Sequence, residues 1–261
     1  MTALQRGRSF IKILLTTLSL TILILTPSPQ IYAGDEKIYT VDFEKWAPFR
    51  IEDKESPRGF KGLDIEILNE ISKKLNIKIQ IKRSPWARSL ANIKSGDSDI
   101  ITGVAYTEER AEYINYAEPS YYSVNPVFYL KKGRGHLIKN YNDLYSYSIG
   151  HSIKSAYFEP FNSDTKLKKV ELSSETHLIK MLLLGRVDAI IGTDPNISYD
   201  MVKSGSKAKV EMALYKPDKQ TKLYIGISKK SQLSSRMKEI EKVIKDMLND
   251  KKIDKLMKRY Q

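Results

Sequence analysis

The chain has 261 residues, 44 Lys or Arg against 31 Asp or Glu, a formal charge of +13 and no cysteine. That length can bury one large core or two modest ones, and the missing thiols exclude a disulfide framework and a thiolate metal site. The lysines are scattered through amphipathic segments rather than gathered into one stripe, which argues against nucleic acid and leaves a modest bias toward anionic ligands.

Arg6, Arg8 and Lys12 precede an apolar stretch from Ile13 to Leu25, broken only by Thr and Ser. Thr26-Pro27-Ser28-Pro29 ends it, and Ile31-Tyr32-Ala33 before Gly34 offers a small-residue cleavage site. Residues 1–33 therefore read as a secretory signal peptide. The stretch is short for a full membrane span of about 20 residues. With no cysteine to carry a lipid, an exported chain of this kind fits a Gram-negative periplasm.

Ile38 to Phe43 predicts a strand, followed by a turn at Trp46-Ala47-Pro48-Phe49 and another at Gly59 to Gly62. Leu63, Ile67, Leu68, Ile71 and Leu75 keep helical spacing, so Leu63 to Leu75 predicts an amphipathic helix. Ile77, Ile79 and Ile81 alternate with polar residues and predict a strand with one covered face. Ser84-Pro85 opens a helix that ends at Gly96, and Asp99 to Thr102 predicts a short buried strand. This β-α-β-α-β order argues for a largely parallel sheet with covering helices. Small molecules bind such sheets at the C-terminal ends of their strands, here the turn leading to Thr107 and Arg110.

A second α/β unit follows. Strands are expected at Val127 to Leu130, Tyr147 to Gly150, Val187 to Ile191 and Leu223 to Ile227. A helix is expected after Ser155, another from Thr176 to Leu184 closed by Gly185, and a long helical region from Ser231 to Tyr260. The two units predict two lobes, with hinge crossings near Val127 and Leu223. Residues 34–126 plus 224–261 would form a discontinuous first lobe around an inserted second lobe, 127–223.

The pattern resembles the family 3 extracellular solute-binding proteins, whose best-known members bind polar amino acids for ABC importers. The resemblance runs in order through Trp46-Ala47-Pro48-Phe49, Gly62-Leu63-Asp64, Trp86, Ile93 to Gly96 and Asp99, Thr107-Glu108-Glu109-Arg110, and Glu118-Pro119-Ser120-Tyr121-Tyr122. It resumes at Leu184-Gly185-Arg186-Val187-Asp188-Ala189. It implies an α/β, two-lobed periplasmic-binding-protein fold of type II, with a ligand cleft between lobes joined by two hinge strands. It also implies a monomer that serves an ABC permease of the inner membrane and uses no cofactor or metal.

By that resemblance Trp46 and Trp86 would sandwich the solute, or else belong to the core. Arg110 would grip a carboxylate with paired N–H donors, or form a surface ion pair with Glu109 or Glu112. Thr102 and Gly103 would contribute hydroxyl or backbone contacts beside Arg110, and Arg88 either a second cation or a solvated charge. Asp99 and Asp188 would be structural. Three positions depart from the family pattern. Ala105 replaces a hydroxyl residue. Only Ser155 survives of a Gly-Ser/Thr segment that offers a helix N-terminus to the carboxylate. Thr193 stands where an aspartate would hold the ligand's ammonium, with Asp194 one residue later.

Two other functions stay open. A dehydratase-like enzyme would need an acid or base in the cleft, yet His136, His151 and His177 are widely spaced and unpaired in sequence. A sensor that presents solute to a membrane receptor would use the same lobes.

Overall fold

The computed structural model describes residues 37–260, so the predicted signal peptide lies outside the described residues. The chain runs through β1 (Ile38–Phe43), β2 (Ile51–Glu52), β3 (Phe60–Lys61), α1 (Leu63–Leu75), β4 (Lys78–Arg83), α2 (Trp86–Ser95), β5 (Ile100–Val104), α3 (Glu108–Ala111), β6 (Ile114–Tyr116) and β7 (Tyr122–Lys131). It continues through β8 (Ser148–Ser152), β9 (Lys168–Leu172), α4 (Glu175–Leu184), β10 (Ala189–Asp194), α5 (Asn196–Lys203), β11 (Val210–Met212), β12 (Thr221–Ser228), α6 (Met237–Asn249) and α7 (Lys252–Tyr260).

The main sheet has the order β4-β1-β5-β12-β7-β10-β8-β9. Its outer members are parallel, β1 with β4 and β5, and β8 with β9 and β10. The central pairs are antiparallel because β7 and β12 carry the chain between lobes in opposite directions. β12 meets β7 at Thr221 to Leu223 against Tyr122 to Val124. Beyond that crossing β7 pairs with β10 and β12 pairs with β5. These shared strands are the two hinges of a two-lobed, type II periplasmic-binding-protein fold.

Each lobe covers both sheet faces, which is why its strands read as continuous apolar runs. In β7, Val127 and Tyr129 join one cluster with Leu178, Ile179 and Leu182 of α4, and Phe128 and Leu130 join another with Tyr157, Phe158 and Phe161. In the first lobe α1 buries Leu63, Ile67, Leu68, Ile71 and Leu75, each contributing about 1.5–3 kcal/mol. That face packs with Ile240, Val243 and Ile244 of α6 and Ile253 and Leu256 of α7. Tyr260 Oη donates to Glu66 Oε1 at 2.7 Å and ties α7 to α1.

Two expectations are corrected. No helix follows Ser155. Lys154 takes φ of 57°, and Pro160 supplies no N–H. Isolated turns, such as Asn162 N–H to Phe158 O at 3.0 Å, do not propagate. The C-terminal helix is two helices, broken where Asn249-Asp250 is a weak helical pair and Lys251 turns to φ of 50°. The break lets α6 and α7 both pack on α1. Helix α5 and strands β9 and β11 had no predicted counterpart; all three are short. Helix α4 ends as expected, with Gly185 in the left-handed region that suits glycine.

Candidate functional site

A cavity of about 210 Å³ lies where the lobes meet, beside Val124 of β7 and Leu223 of β12. Its first-lobe wall includes Glu44, Trp46, Arg50, Trp86, Gly103 and Arg110. Trp46 and Arg50 come from the loop after β1, held by reciprocal backbone bonds between these residues at 2.9 and 2.8 Å. The Trp46 ring stacks on Phe49 at 4.4 Å, and the Arg50 guanidinium lies 5.1 Å from its centroid. Arg50 is buried and sits 3.7 Å from Asp64 Oδ2.

Gly103 lets Trp46 settle. It has φ of 66°, and a Cβ there would meet Trp46 Cζ3 at 2.8 Å. Gly103→Ala is therefore expected to destabilise the fold by about 1–2 kcal/mol. It should also shift the tryptophan emission and weaken solute binding. An unchanged spectrum and affinity would show that the ring is not held there.

Arg110 is positioned by α3, whose N-cap Thr107 accepts from the Arg110 backbone N–H at 3.2 Å. Its side chain is buried, so the surface ion-pair alternative does not hold. Nη1 donates to Ala105 O at 2.9 Å and Nη2 to Lys154 O, in the second lobe, at 2.7 Å. Burial lowers its pKa from the ordinary value, and the neighbouring Tyr116, Tyr113 and Glu109 partly offset this. A guanidinium stays charged regardless. The Arg110 guanidinium lies 5.7 Å from the Trp86 centroid, and Trp86 Nε1 also donates to Lys154 O, at 3.2 Å.

The second-lobe wall is acidic. It includes Ser155, Glu175, Thr193, Asn196 and Asp200. Asp200 accepts from Lys45 Nζ at 3.1 Å and Thr176 Oγ1 at 3.5 Å. Asn196 Nδ2 donates to Ala47 O at 2.6 Å. Glu175, in the first turn of α4, has a shielded Oε2 without a hydrogen-bond partner. Burial pushes its carboxyl up to about 8, the Asp200 charge adds to the rise, and the Trp46 indole pulls part of it back. Thr193 lies near enough to lower it further, though Thr193 Oγ1 is in bonding geometry with nothing. Glu44 is also raised, by burial first, while the Trp86 backbone N–H at 2.8 Å and Arg50 lower it.

Trp46, Trp86, Gly103, Arg110 and Ser155 thus come together around one cavity; Arg88, Thr102 and Asp194 do not. Arg88 is exposed, because residues two apart do not share a helix face and Trp86 takes the inward one. On a strand successive side chains alternate. Gly103 lines the cavity, so Thr102 points away and donates to Asp64 Oδ2 at 2.6 Å. Thr193 lines it, so Asp194 faces Ser198, whose Oγ donates at 2.6 Å. Ser155 arrives on a turn rather than at a helix N-terminus.

Glu44, Arg50, Glu175, Asn196 and Asp200 were missed. Glu175 looked like an ordinary acidic residue in a helix's first turn, and Asn196 and Asp200 sit on the unforeseen α5. Only Glu44 carried a signal, its nearness to Trp46.

A polar cavity between two lobes hinged on a pair of antiparallel strands is the architecture of a solute-binding protein. The model of the bacterial extracellular solute-binding proteins, family 3, matches residues 40–261, and the chain belongs to that family. A probable histidine-binding protein of Neisseria gonorrhoeae is 24% identical over 235 residues, covering 87% of this chain and 84% of its own. The L-arginine-bound amino acid ABC transporter substrate-binding protein AbpA of Streptococcus pneumoniae superposes with a TM-score of 0.74 at 22% identity, covering 85% of this chain and 94% of its own. A histidine kinase sensor domain with similarity to periplasmic binding proteins also gives 0.74, at 12% identity, covering 85% and 95%.

Proposed function

We propose that this protein captures an amino acid in the periplasm by closing its lobes and delivers it to an ABC importer. The observation that carries this reading is the charge layout of the cavity. A guanidinium, Arg110, stands on one wall beside two indoles, and carboxylates stand on the other. A zwitterion satisfies both sides, whereas a simple anion brings no donor for the unpartnered Glu175 Oε2.

Several finer points belong to the same reading. Residues 1–33 act as a cleavable export signal, and the mature chain works as a monomer. The lobe boundaries fall at 34–126 with 224–261, and 127–223. The exchange of β7 partners between Val124 and Asn125 supports that division. The site works by binding rather than catalysis, and His136, His151 and His177 lie off the cavity wall.

The test is a screen of the mature protein against amino acids and small organic acids, read by melting temperature and tryptophan emission. A true solute at one hundred times its Kd stabilises by about 2.7 kcal/mol, a rise of roughly 5–10 °C. A response to organic acids alone, with every amino acid silent, would overturn the amino-acid reading.

A further inference from the structure

Three oxygen acceptors on the second-lobe wall lack partners: Glu175 Oε2, Asn196 Oδ1 and Thr193 Oγ1. All three residues line the cavity, and Asn196 and Thr193 are 0% and 6% exposed. The Asn196 amide is oriented by the bond from its Nδ2 to Ala47 O, which leaves Oδ1 as the free acceptor. A buried acceptor without a donor is expensive unless a ligand supplies one. The nearby Asp200 carboxylate already has Lys45 and Thr176, so it does not need the same donor.

We infer that Glu175, Asn196 and Thr193 form the seat for the solute's primary ammonium, which presents three N–H donors to three waiting oxygens. This inference rests on the amino-acid reading and assigns its cationic end. It places the ammonium on α4 and at the β10–α5 junction, away from Asp194.

The electrostatics follow from the surroundings of Glu175. Asp200 on α5 and Asp194 at the end of β10 act on it with like charge, and Trp46 and Thr193 are its neutral neighbours. Across the cavity stand Glu44, Lys45, Arg50 and Arg110. On its own helix His177 is engaged by Ser173 Oγ at 2.6 Å. Glu175 has no ion-pair partner among the described residues. With its carboxyl raised from 4.5 to about 8, the solute-free fold loses stability as pH climbs through that window. An arriving ammonium favours the carboxylate and expels a proton. Affinity for an amine therefore rises with pH up to about 8 and then levels off.

The experiment is calorimetry with L-histidine, L-arginine and L-glutamine, each beside its desamino analogue: imidazolepropionic acid, guanidinovaleric acid and glutaramic acid. The analogues keep the carboxylate and side chain and lack only the ammonium. At least one amino acid should bind about tenfold or more tighter than its analogue. Its affinity should approach a tenfold gain per pH unit below the Glu175 transition, with about one proton released at neutral pH. Glu175→Gln should lose roughly tenfold or more in affinity and flatten the pH profile. It should melt no lower than wild type near pH 8, because it removes a buried charge. Proton release from wild type is read in buffers of different ionisation heat and needs no variant. Equal affinity for amino and desamino forms, or binding without proton release, overturns the ammonium seat alone. If the screen returns another amino acid, it and its desamino analogue replace these pairs; silence from every amino acid overturns the amino-acid reading and the seat with it.

Discussion

Arg110→Ala is expected to weaken solute binding by about 2–5 kcal/mol. The figure includes the cost of leaving a ligand carboxylate in a closed cavity without its cation. Two Arg110 donors are already engaged, by Ala105 O and Lys154 O, and these bonds fix the guanidinium plane. The bond to Lys154 O crosses between lobes, so the alanine variant loses an interlobe strut as well as the proposed ligand contact. Both losses act in the same direction on affinity. Arg110→Lys keeps the charge but is a single ammonium without the planar fork, and it cannot hold Lys154 O and a carboxylate in the same geometry. It should recover only part of the loss. Calorimetry on both variants, with melting curves to confirm folding, makes the check. Unchanged affinity in the alanine variant would take Arg110 out of the site.

Of the first-lobe wall, Trp46, Trp86, Gly103 and Arg110 were legible through the family resemblance, whose motifs run in order through this half of the chain, while Glu44 and Arg50 beside them were not. Trp86 opens α2 and Trp46 follows β1 after a short loop. Ser155 apart, the second-lobe half was not legible. Glu175 and Asn196 reach the cavity only after β7 and β12 bring the lobes together, and nothing local to either residue marks that encounter. The misplaced residues have a shared cause. Thr102 beside Gly103, and Asp194 beside Thr193, are adjacent strand positions, so only one of each pair can face the solute. A motif match that is loose by one residue is loose by a whole face of the sheet. The helix expected after Ser155 failed for a different reason. Tyr157, Phe158 and Phe161 are drawn into the second-lobe core, and Pro160 prevents a regular helix from forming beneath them.

The largest expected loss of stability comes from Asp64→Ala. Asp64 is fully buried in the first turn of α1. Tyr121 Oη donates to its Oδ1 at 2.7 Å, and Thr102 Oγ1 to its Oδ2 at 2.6 Å. Burial, then the Asp64 charge, push the Tyr121 hydroxyl well above its ordinary pKa, so it remains a donor. Arg50 lies 3.7 Å from Asp64 Oδ2 and is 4% exposed. Removing Asp64 takes the acceptor from two hydroxyls and leaves Arg50, which keeps Thr102 O at 3.3 Å and Thr102 Oγ1 at 3.4 Å, a buried charge without its counterion, a loss of about 3–5 kcal/mol. For a domain of this size that lowers the melting temperature by roughly 6–20 °C. Replacing both members of the pair with apolar residues, Asp64→Leu with Arg50→Met, should return much of the stability, since no charge is then left uncompensated. The same double variant removes the cation beneath Trp46, 5.1 Å from its ring. If the buried pair exists to shape the aromatic wall rather than to stabilise the lobe, melting will recover in the double variant while solute affinity stays low. Recovery of both would reduce the pair to a packing element. A melting temperature that Asp64→Ala leaves unchanged would show that Arg50 finds water or another partner, against the geometry described above.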